Sequence, residues 1–348
     1  MNGSRPRIAL LAAALVVEDA PAQVTVGGLG YAHYRYQLDT DSTLAPAAHR
    51  NSFDVSRLYL TVRGQLQRGL DSRVTIDVDD REGDGDALQL RLKYAYLAWR
   101  PDTGPVTIRL GMIPTPMIGT IERIWDYRMQ GSVAADRNGY LVSSDFGVSA
   151  EGSWHQDRVT ISAGLFNGEG YDAPEGDHRK DVAARASWQL AQSDTTGPGA
   201  GLRITGYGHF GRPTGGGIRS RMMAMLSWQS RRFTLGAEQL WSNDSTAAAA
   251  SRTRGTVTSV WGVYRMPGAP VAVIARVDRV DPDVDVTPTQ PDPTSDVQTR
   301  TIVGVSYQVS PQVRILVDAD LLSLEHGSPD NAFNASRRSL YLHTAFTF

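Results

Sequence analysis

Opposed charges are concentrated between residues 120 and 142 of the sequence. Carboxylates and guanidinium groups that lie close together create a strong local field, which orients dipolar solutes and biases the passage of ions. The residue types of this segment therefore fit a charged lining that selects solutes. Its charged side chains are Glu122, Arg123, Asp126, Arg128, Asp136 and Arg137.

The spacing of the acidic residues, histidines and serines does not support a metal site or an active site. The acidic run at 77–86 lacks the terminal Glu and the ligand spacing of a twelve-residue calcium loop, so a solvated loop is favoured over a calcium site. The seven histidines show no metal-ligand spacing, no serine stands in a nucleophile elbow, and cysteine is absent. We therefore expect no metal, no cofactor and no enzymatic activity. The net charge of −2 gives no reason to expect nucleic acid as a partner.

The elements that must position the charged segment are predicted to be β-strands. From residue 24 onward, about sixteen stretches of roughly 8–15 residues alternate between apolar and polar side chains. At 144–154, for example, Phe146 and Val148 share one face, whereas Asp145, Ser149 and Glu151 share the other. Because about 9–11 tilted residues cross a bilayer as a strand, these stretches are long enough to span one.

The connections between the predicted strands alternate between short and long. Residues 68–70 and 310–312 are examples of the short ones, whereas 113–142 is the longest of the others. A transmembrane barrel has short turns at one end, longer loops at the other and an even number of strands. A soluble sandwich has no reason to sort its loops in this way. Two connections depart from the rule, since 192–200 is long and 212–217 is short.

The last predicted strand alternates regularly and ends in the aromatic Phe348. Such a strand closes a barrel against the first strand and leaves no edge. The longest apolar run, residues 8–17, is about half of the ~20 residues that a membrane helix needs. Only 41% of residues are hydrophobic, which suits a barrel because every second strand residue faces the lumen. We therefore expect an all-β transmembrane antiparallel barrel of about sixteen strands.

Residues 1–22 have the order of a secretory signal. Arg5 and Arg7 precede the apolar run 8–17, and Ala20-Pro21-Ala22 follows it. We expect cleavage after Ala22, which leaves residues 23–348 as the barrel. A buried N-terminal helix is the alternative. An exported chain without cysteine relies on no disulfides.

The alternation also assigns individual charges to the interior of the barrel. Because Leu58 and Leu60 face outward, Arg57 and Arg63 face the lumen; an Arg or Lys on the lipid face costs about 2–4 kcal/mol at mid-bilayer. Two roles stay open for such residues, tuning of a pore and pairing across the lumen wall. The same alternation places Arg73, Asp77, Asp79, Arg109, Asp181, Arg185, Arg203, Arg219, Arg221, Glu238, Arg276, Asp278, Arg314, Asp318 and Asp320 in the lumen, and we expect Arg91 and Lys93 there too, although the pattern at 90–100 is irregular.

These features resemble the Gram-negative general and phosphate-selective porins, the family often called porin O/P. The resemblance covers nearly all of residues 23–348. It rests on the strand 53–66 with its internal arginines, the Gly-x-x-x-x-Pro stop of 111–116, the charged third loop and the terminal Phe348. It implies that the third loop, 120–142, folds into the lumen and narrows it, and that the chain forms a homotrimer.

One departure from the family pattern concerns lysine. Phosphate-selective members line the pore with many lysines, whereas this chain has only Lys93 and Lys180. Phosphate selectivity is therefore in doubt, although arginines supply the same positive charge.

The sequence thus predicts a passive diffusion porin in the outer membrane, for small hydrophilic solutes or ions and with a preference for anions. The expected partners are the lipid bilayer and lipopolysaccharide, the permeating solutes or anions, and further copies of the chain. The alternatives are a non-conducting barrel that serves as an adhesin or scaffold, and a secreted β-sandwich that binds carbohydrate. The residues expected to line or constrict the pore are Arg57, Arg63, Arg73, Asp77, Arg109, Glu122, Arg123, Asp126 and Arg128, with the wall arginines facing Glu122 and Asp126.

Overall fold

The computed structural model describes residues 23–40, 51–79, 88–213, 216–246, 252–285, 297–325 and 336–348. The predicted signal segment 1–22, most of the acidic run 77–86 and the side chain of Asp79 lie outside the described residues. Among the helices in the described ranges, none is long and apolar enough to cross a membrane.

Sixteen antiparallel strands form one closed barrel, in which each strand pairs with its neighbours in sequence and the last strand pairs with the first. The prediction of an all-β antiparallel barrel of about sixteen strands is confirmed. The strands are β1 (Gln23–Thr40), β2 (Asn51–Gln67), β3 (Leu70–Asp79), β4 (Gln89–Trp99), β5 (Val106–Pro114), β6 (Ser144–Trp154), β7 (Val159–Phe166), β8 (Asp181–Ala191), β9 (Gly201–Gly211), β10 (Gly217–Gln229), β11 (Phe233–Thr246), β12 (Thr253–Arg265), β13 (Val271–Asp281), β14 (Gln298–Ser310), β15 (Val313–Leu324) and β16 (Arg337–Thr347).

The two faces of the wall follow the alternation of the sequence. In β13, Val273 and Val277 are exposed on the outer face, whereas Ile274, Arg276 and Asp278 are buried on the inner face. An apolar outer face and a charged interior are the arrangement that a barrel needs in a bilayer. The other charged wall residues that the structure buries inside are Asp77, Asp181, Arg185, Arg203, Arg221, Glu238, Asp318 and Asp320.

A bulge in β4 explains why its alternation is irregular. The pairing of β3 with β4 shifts by one residue where Thr75 pairs with Tyr94 and Ile76 pairs with Leu92. Lys93 is therefore the extra residue between two pairs, and a bulge leaves such a residue outside the regular ladder. Its side chain is buried, whereas Leu92 beside it is exposed.

Two glycines in β1 lie beneath the aromatic rings of the last strand. The backbone N–H of Gly28 donates to the carbonyl of Phe348 at 2.9 Å, and the N–H of Phe348 donates to the carbonyl of Gly28 at 3.1 Å. A Cβ on Gly28 would overlap the ring of Phe348, and a Cβ on Gly30 would overlap the ring of Phe346. The closing seam therefore depends on small residues in β1 that let the rings lie flat on the wall.

Replacing Gly30 with valine should weaken this seam, because the new side chain meets the ring of Phe346. We expect the free energy of unfolding to fall by about 1–3 kcal/mol, the usual cost of overpacking. Thermal unfolding followed by heat-dependent gel mobility in detergent measures the change. Gly206→Val is the matched control, since Gly206 is also on a strand and a Cβ there meets no described atom within 4 Å. Equal loss of stability in both variants would contradict the role of the Gly30 contact.

Candidate functional site

The third loop, residues 115–143, lies inside the barrel. It begins after Pro114, the last residue of β5, and contains helix α1 (Ile118–Trp125), a 3-10 turn (Arg128–Gln130) and helix α2 (Ala134–Arg137). Helix α1 packs against β11 and β12, the 3-10 turn against β16, and α2 against β12. The predicted fold of this loop into the lumen is therefore confirmed.

An apolar contact attaches one face of the loop to the inner wall. Helix α1 buries Ile118, Ile121, Ile124 and Trp125 on one side. The ring of Trp125 meets that of Trp261 on β12 edge to face, with centroids 6.4 Å apart. The inner wall of β10–β15 carries many buried apolar residues for this contact, alongside buried charged ones. Its buried apolar residues include Met223, Met225, Leu240, Val257, Val263, Ile274, Ile302 and Leu316.

Two contacts anchor the segment that follows α1. The hydroxyl of Tyr127 lies 2.7 Å from the hydroxyl of Ser306 on β14, in a buried hydrogen bond. The guanidinium of Arg314 on β15 donates to the backbone carbonyl of Asp126 at 2.7 Å and to its carboxylate at 3.1 Å. Asp126 therefore has its ion-pair partner on β15, rather than among the arginines of β2, β3 and β5 that the sequence paired with it.

Charged groups also anchor the second half of the loop. The amide of Gln130 donates to Asp320 at 3.3 Å, and Arg300 forms an ion pair with the same carboxylate at 2.7 Å. Arg137 lies 3.7 Å from Asp278. Burial and the charge of Arg300 lower the pKa of Arg137, whereas the two carboxylates act in the opposite direction. The loop is thus fixed to β13–β15 by polar as well as apolar contacts.

A second charged cluster joins β2, β3 and β4. Nη1 of Arg57 donates to Oδ2 of Asp77 at 2.6 Å, and Nζ of Lys93 lies 3.8 Å from the same oxygen. Lys93 also donates to the hydroxyl of Ser143, at the end of the third loop, at 2.7 Å. The side chain of Asp77 is only 1% exposed. The alternation around Lys93 is irregular because of the bulge in β4, yet its side chain lies inside the barrel, as expected.

Within the loop, Arg128 links two acidic side chains. Its Nε donates to Oε1 of Glu122 at 2.7 Å, and its Nη2 lies 4.0 Å from Asp136. Glu122 therefore has its closest charged partner in the loop itself. The charges of Arg57, Glu122 and Arg128 all act on the hydroxyl of Tyr59 on β2, which places the loop cluster beside the wall cluster.

The other face of α1 is exposed toward the open part of the lumen. Arg123 and Asp126 are exposed there, and so is Arg63 on β2. Arg73 on β3 stacks over the ring of Tyr94 at 4.4 Å and donates to the hydroxyl of Thr75 at 3.0 Å. Among the residues that the structure describes, no carboxylate lies within ion-pair distance of Arg63, Arg73 or Arg123.

Further guanidinium groups line β5, β8 and β9. Arg109 lies 3.5 Å from Glu151 on β6. Nε of Arg185 donates to the carbonyl of Pro116 at 2.8 Å, and its Nη2 lies 4.0 Å from Glu151. Arg203 donates to the carbonyl oxygen of Ala200 at 3.2 Å. Alternation in β6 had put Glu151 on the inner face, but nothing in the sequence marked it as the partner of two arginines.

Known proteins resemble this chain in fold but not in sequence. No protein-family model and no curated protein matches it. The anion-selective porin from Comamonas acidovorans has a TM-score of 0.68 at 12% identity, covering 94% of this chain and 100% of that one. Salmonella typhi OmpF, in a complex with daunomycin, has a TM-score of 0.65 at 11% identity, with 93% and 97% covered. The outer membrane channel DcaP of Acinetobacter baumannii has a TM-score of 0.64 at 11% identity, with 95% and 99% covered.

The chain thus shares the closed sixteen-stranded barrel fold of these outer-membrane porins. At these identities the likeness establishes the fold. The narrower resemblance to phosphate-selective porins stays a prediction.

Replacing Asp77 with alanine should destabilise the barrel, because it removes the carboxylate that contacts Arg57 and Lys93 in a buried setting. We expect a loss of about 3–5 kcal/mol in the free energy of unfolding, as for other broken buried pairs. Urea unfolding of the refolded barrel measures it. Asp102→Ala is the control, since Asp102 and Arg68 form an exposed pair at 3.3 Å, with side chains 72% and 89% exposed. Comparable losses in both variants would contradict the prediction.

Proposed function

We propose that the protein is a passive diffusion porin of the outer membrane, for small hydrophilic solutes or ions and with a preference for anions. One observation carries the proposal: the open part of the lumen presents many guanidinium groups and few carboxylates. The guanidinium groups belong to Arg63, Arg73, Arg109 and Arg123, whereas Arg185 and Arg203, also on the inner face, are buried.

The charge balance of these arginines favours anions. Among the described residues, Glu151 is the one carboxylate within 4.0 Å of any of them. Arg73 instead contacts a ring and a hydroxyl, and Arg203 contacts backbone carbonyls. These neutral partners leave the positive charge of Arg73 uncompensated, whereas the carboxylate of Asp157 acts on Arg203. A cleft of one sign with low-dielectric walls concentrates ions of the opposite sign.

The proposed mechanism combines a fixed aperture with this field. Trp125, Tyr127 and Arg314 hold the third loop against β12, β14 and β15, so solutes pass along the remaining wall. There the Arg57–Asp77 and Arg128–Glu122 pairs add a dipolar field without changing the net charge. Selection then depends on the size and charge of the solute, and conduction requires that binding stays weak enough for release.

Several observations support the proposed setting. The outer face carries exposed apolar side chains on consecutive strands, as lipid contact requires. One similar fold belongs to a porin described as anion-selective, and another to OmpT of Vibrio cholerae in a trimer form. We propose the same trimeric assembly, lipopolysaccharide as a neighbour in the outer leaflet, and export directed by residues 1–22. The roles of the constriction residues are part of this proposal.

Planar-bilayer recordings of the refolded chain under a KCl gradient test the function. We expect stepwise conductance with a reversal potential that indicates a preference for chloride. The double variant Arg63→Gln and Arg73→Gln should lower the anion-to-cation permeability ratio by about a factor of two or more, because it removes uncompensated charge from the lumen. Arg279→Gln is the matched control, since Arg279 is exposed on the outer face of β13.

Each outcome separates one part of the proposal. Equal permeability to both ions would contradict the anion preference. A barrel that inserts but never conducts would contradict the pore and favour the adhesin or scaffold. A control variant that alters selectivity as much as the double variant would show that the lumen arginines are not responsible.

A further inference from the structure

A row of four inward side chains crosses the barrel wall at one level, from β5 to β8. Glu151 on β6 pairs with Thr107 on β5 and with Ser162 on β7. Ser162 in turn pairs with Arg185 on β8. The small Ser162 therefore separates the carboxylate of Glu151 from the guanidinium of Arg185, and Arg109, two residues after Thr107 on β5, approaches the same carboxylate from the other side.

The carboxylate of Glu151 contacts both arginines loosely. Its Oε2 lies 3.5 Å from Nη1 of Arg109 and 4.0 Å from Nη2 of Arg185. A close charge-assisted bond between these groups has a length of about 2.7–2.9 Å. The side chain of Glu151 is also 42% exposed, so solvent and solutes reach the carboxylate. At these distances the carboxylate of Glu151 lies near both arginines but forms a close ion pair with neither.

The arginine on β8 is fixed in position and its side chain is only 6% exposed, so it meets the lumen only beside the exposed Glu151. Nε of Arg185 donates to the carbonyl of Pro116 at 2.8 Å, and Nη1 donates to the hydroxyl of Thr160 at 3.1 Å. Nη2 has only the distant Glu151 as a charged partner among the described residues. The backbone contact holds the guanidinium rigidly, and a preorganised guanidinium binds an oxyanion without first losing freedom.

Further positive charge surrounds this pair. The charges of Arg123 on α1 and Arg203 on β9 both act on Arg185, and the charge of Asp157 acts in turn on Arg203. Two guanidinium groups, those of Arg109 and Arg185, share the carboxylate of Glu151 within 4.0 Å. An anion that enters the lumen meets the same groups that Glu151 contacts.

We propose that Glu151 is a specificity-determining residue that acts as a tethered competitor of the permeating anion. Its carboxylate occupies the guanidinium groups of Arg109 and Arg185 between passages and leaves them when a solute oxyanion arrives. The solutes concerned are carboxylates and phosphate-type oxyanions, since their geometry matches the planar donor fork of arginine. This inference rests on the proposed pore function and adds a solute class to it.

A tethered competitor has a direct effect on transport. A group attached to the wall is present at a high effective concentration, so it competes at all solute levels. A site for permeation must attract the ion and also release it quickly. Glu151 would shorten the residence time of an oxyanion at the arginines. Its removal would lengthen that residence time and slow permeation.

Three variants test the proposal. Glu151→Gln removes the charge and keeps the size of the side chain. Glu151→Asp keeps the charge but withdraws it by one methylene from Arg109 and Arg185. Asp71→Asn removes one charge from the inner face of β3, where the carboxylate has no ion-pair partner among the described residues, so it frees no guanidinium group.

Two measurements with inorganic phosphate give the answer. The first is the phosphate concentration that blocks half of the chloride current in a planar bilayer. The second is the affinity of the detergent-solubilised barrel for phosphate by calorimetry, which needs no conduction. We expect Glu151→Gln to lower the half-blocking concentration and the dissociation constant by about two- to fivefold, the scale on which a partly exposed ion pair acts. Glu151→Asp should change both values in the same direction, and Asp71→Asn should change them less than either.

The outcomes distinguish this inference from the pore itself. Unchanged phosphate affinity in both Glu151 variants would overturn the competitor role, whether or not the barrel conducts. An Asp71→Asn variant that matches Glu151→Gln, together with an inert Glu151→Asp, would also overturn it, because net charge alone would explain the change. Tighter binding in the Glu151 variants of a barrel that never conducts would support the competitor and contradict the pore.

Discussion

The closed hydrogen-bond ladder is the constraint on which the rest of the structure depends. Inside a bilayer no water pairs with backbone groups, so a sheet must have no free edge. Gly28 and Phe348 complete the ladder between β1 and β16 by exchanging both backbone hydrogen bonds. Closure fixes the circumference of the wall and therefore the space inside it. The third loop takes up part of that space, and what stays open becomes the route for solutes.

The third loop divides the wall into two unlike halves. Where the loop packs, apolar inner residues such as Leu240 and Ile274 are buried beside paired charges such as Arg276 and Asp278, and the ring of Trp125 is buried against Trp261. Where the wall faces water, from β2 to β9, guanidinium groups predominate. This division stabilises the structure, because burial of apolar surface attaches the loop and the exposed charged groups remain hydrated. The asymmetry of charge in the lumen therefore follows from the way the loop is attached.

Much of this arrangement could be predicted from the sequence. The features that could not be predicted depend on a bulge and on contacts between distant segments. A period of two is local, so it predicted the strands, the barrel and the face on which most charged wall residues lie. The period is irregular around Lys93, because one bulged residue interrupts it. The alternation could not predict ion pairs between distant segments, such as the contact of Asp126 with Arg314, 188 positions away in the chain. Glu151 was placed on the correct face, but its distance to Arg185 depends on the register of β7, which no local pattern specifies.

Both ends of the third loop are bound to the barrel by side chains of neighbouring strands. Arg185 holds the carbonyl of Pro116 at the start, and Lys93 holds the hydroxyl of Ser143 at the end, while the backbone of Thr115 pairs with that of Ser143 at 3.1 Å. The loop is thus an insert with fixed ends and a fixed buried face. Under the proposed function, substitutions on its exposed face would therefore change selectivity while those attachments keep the loop in place.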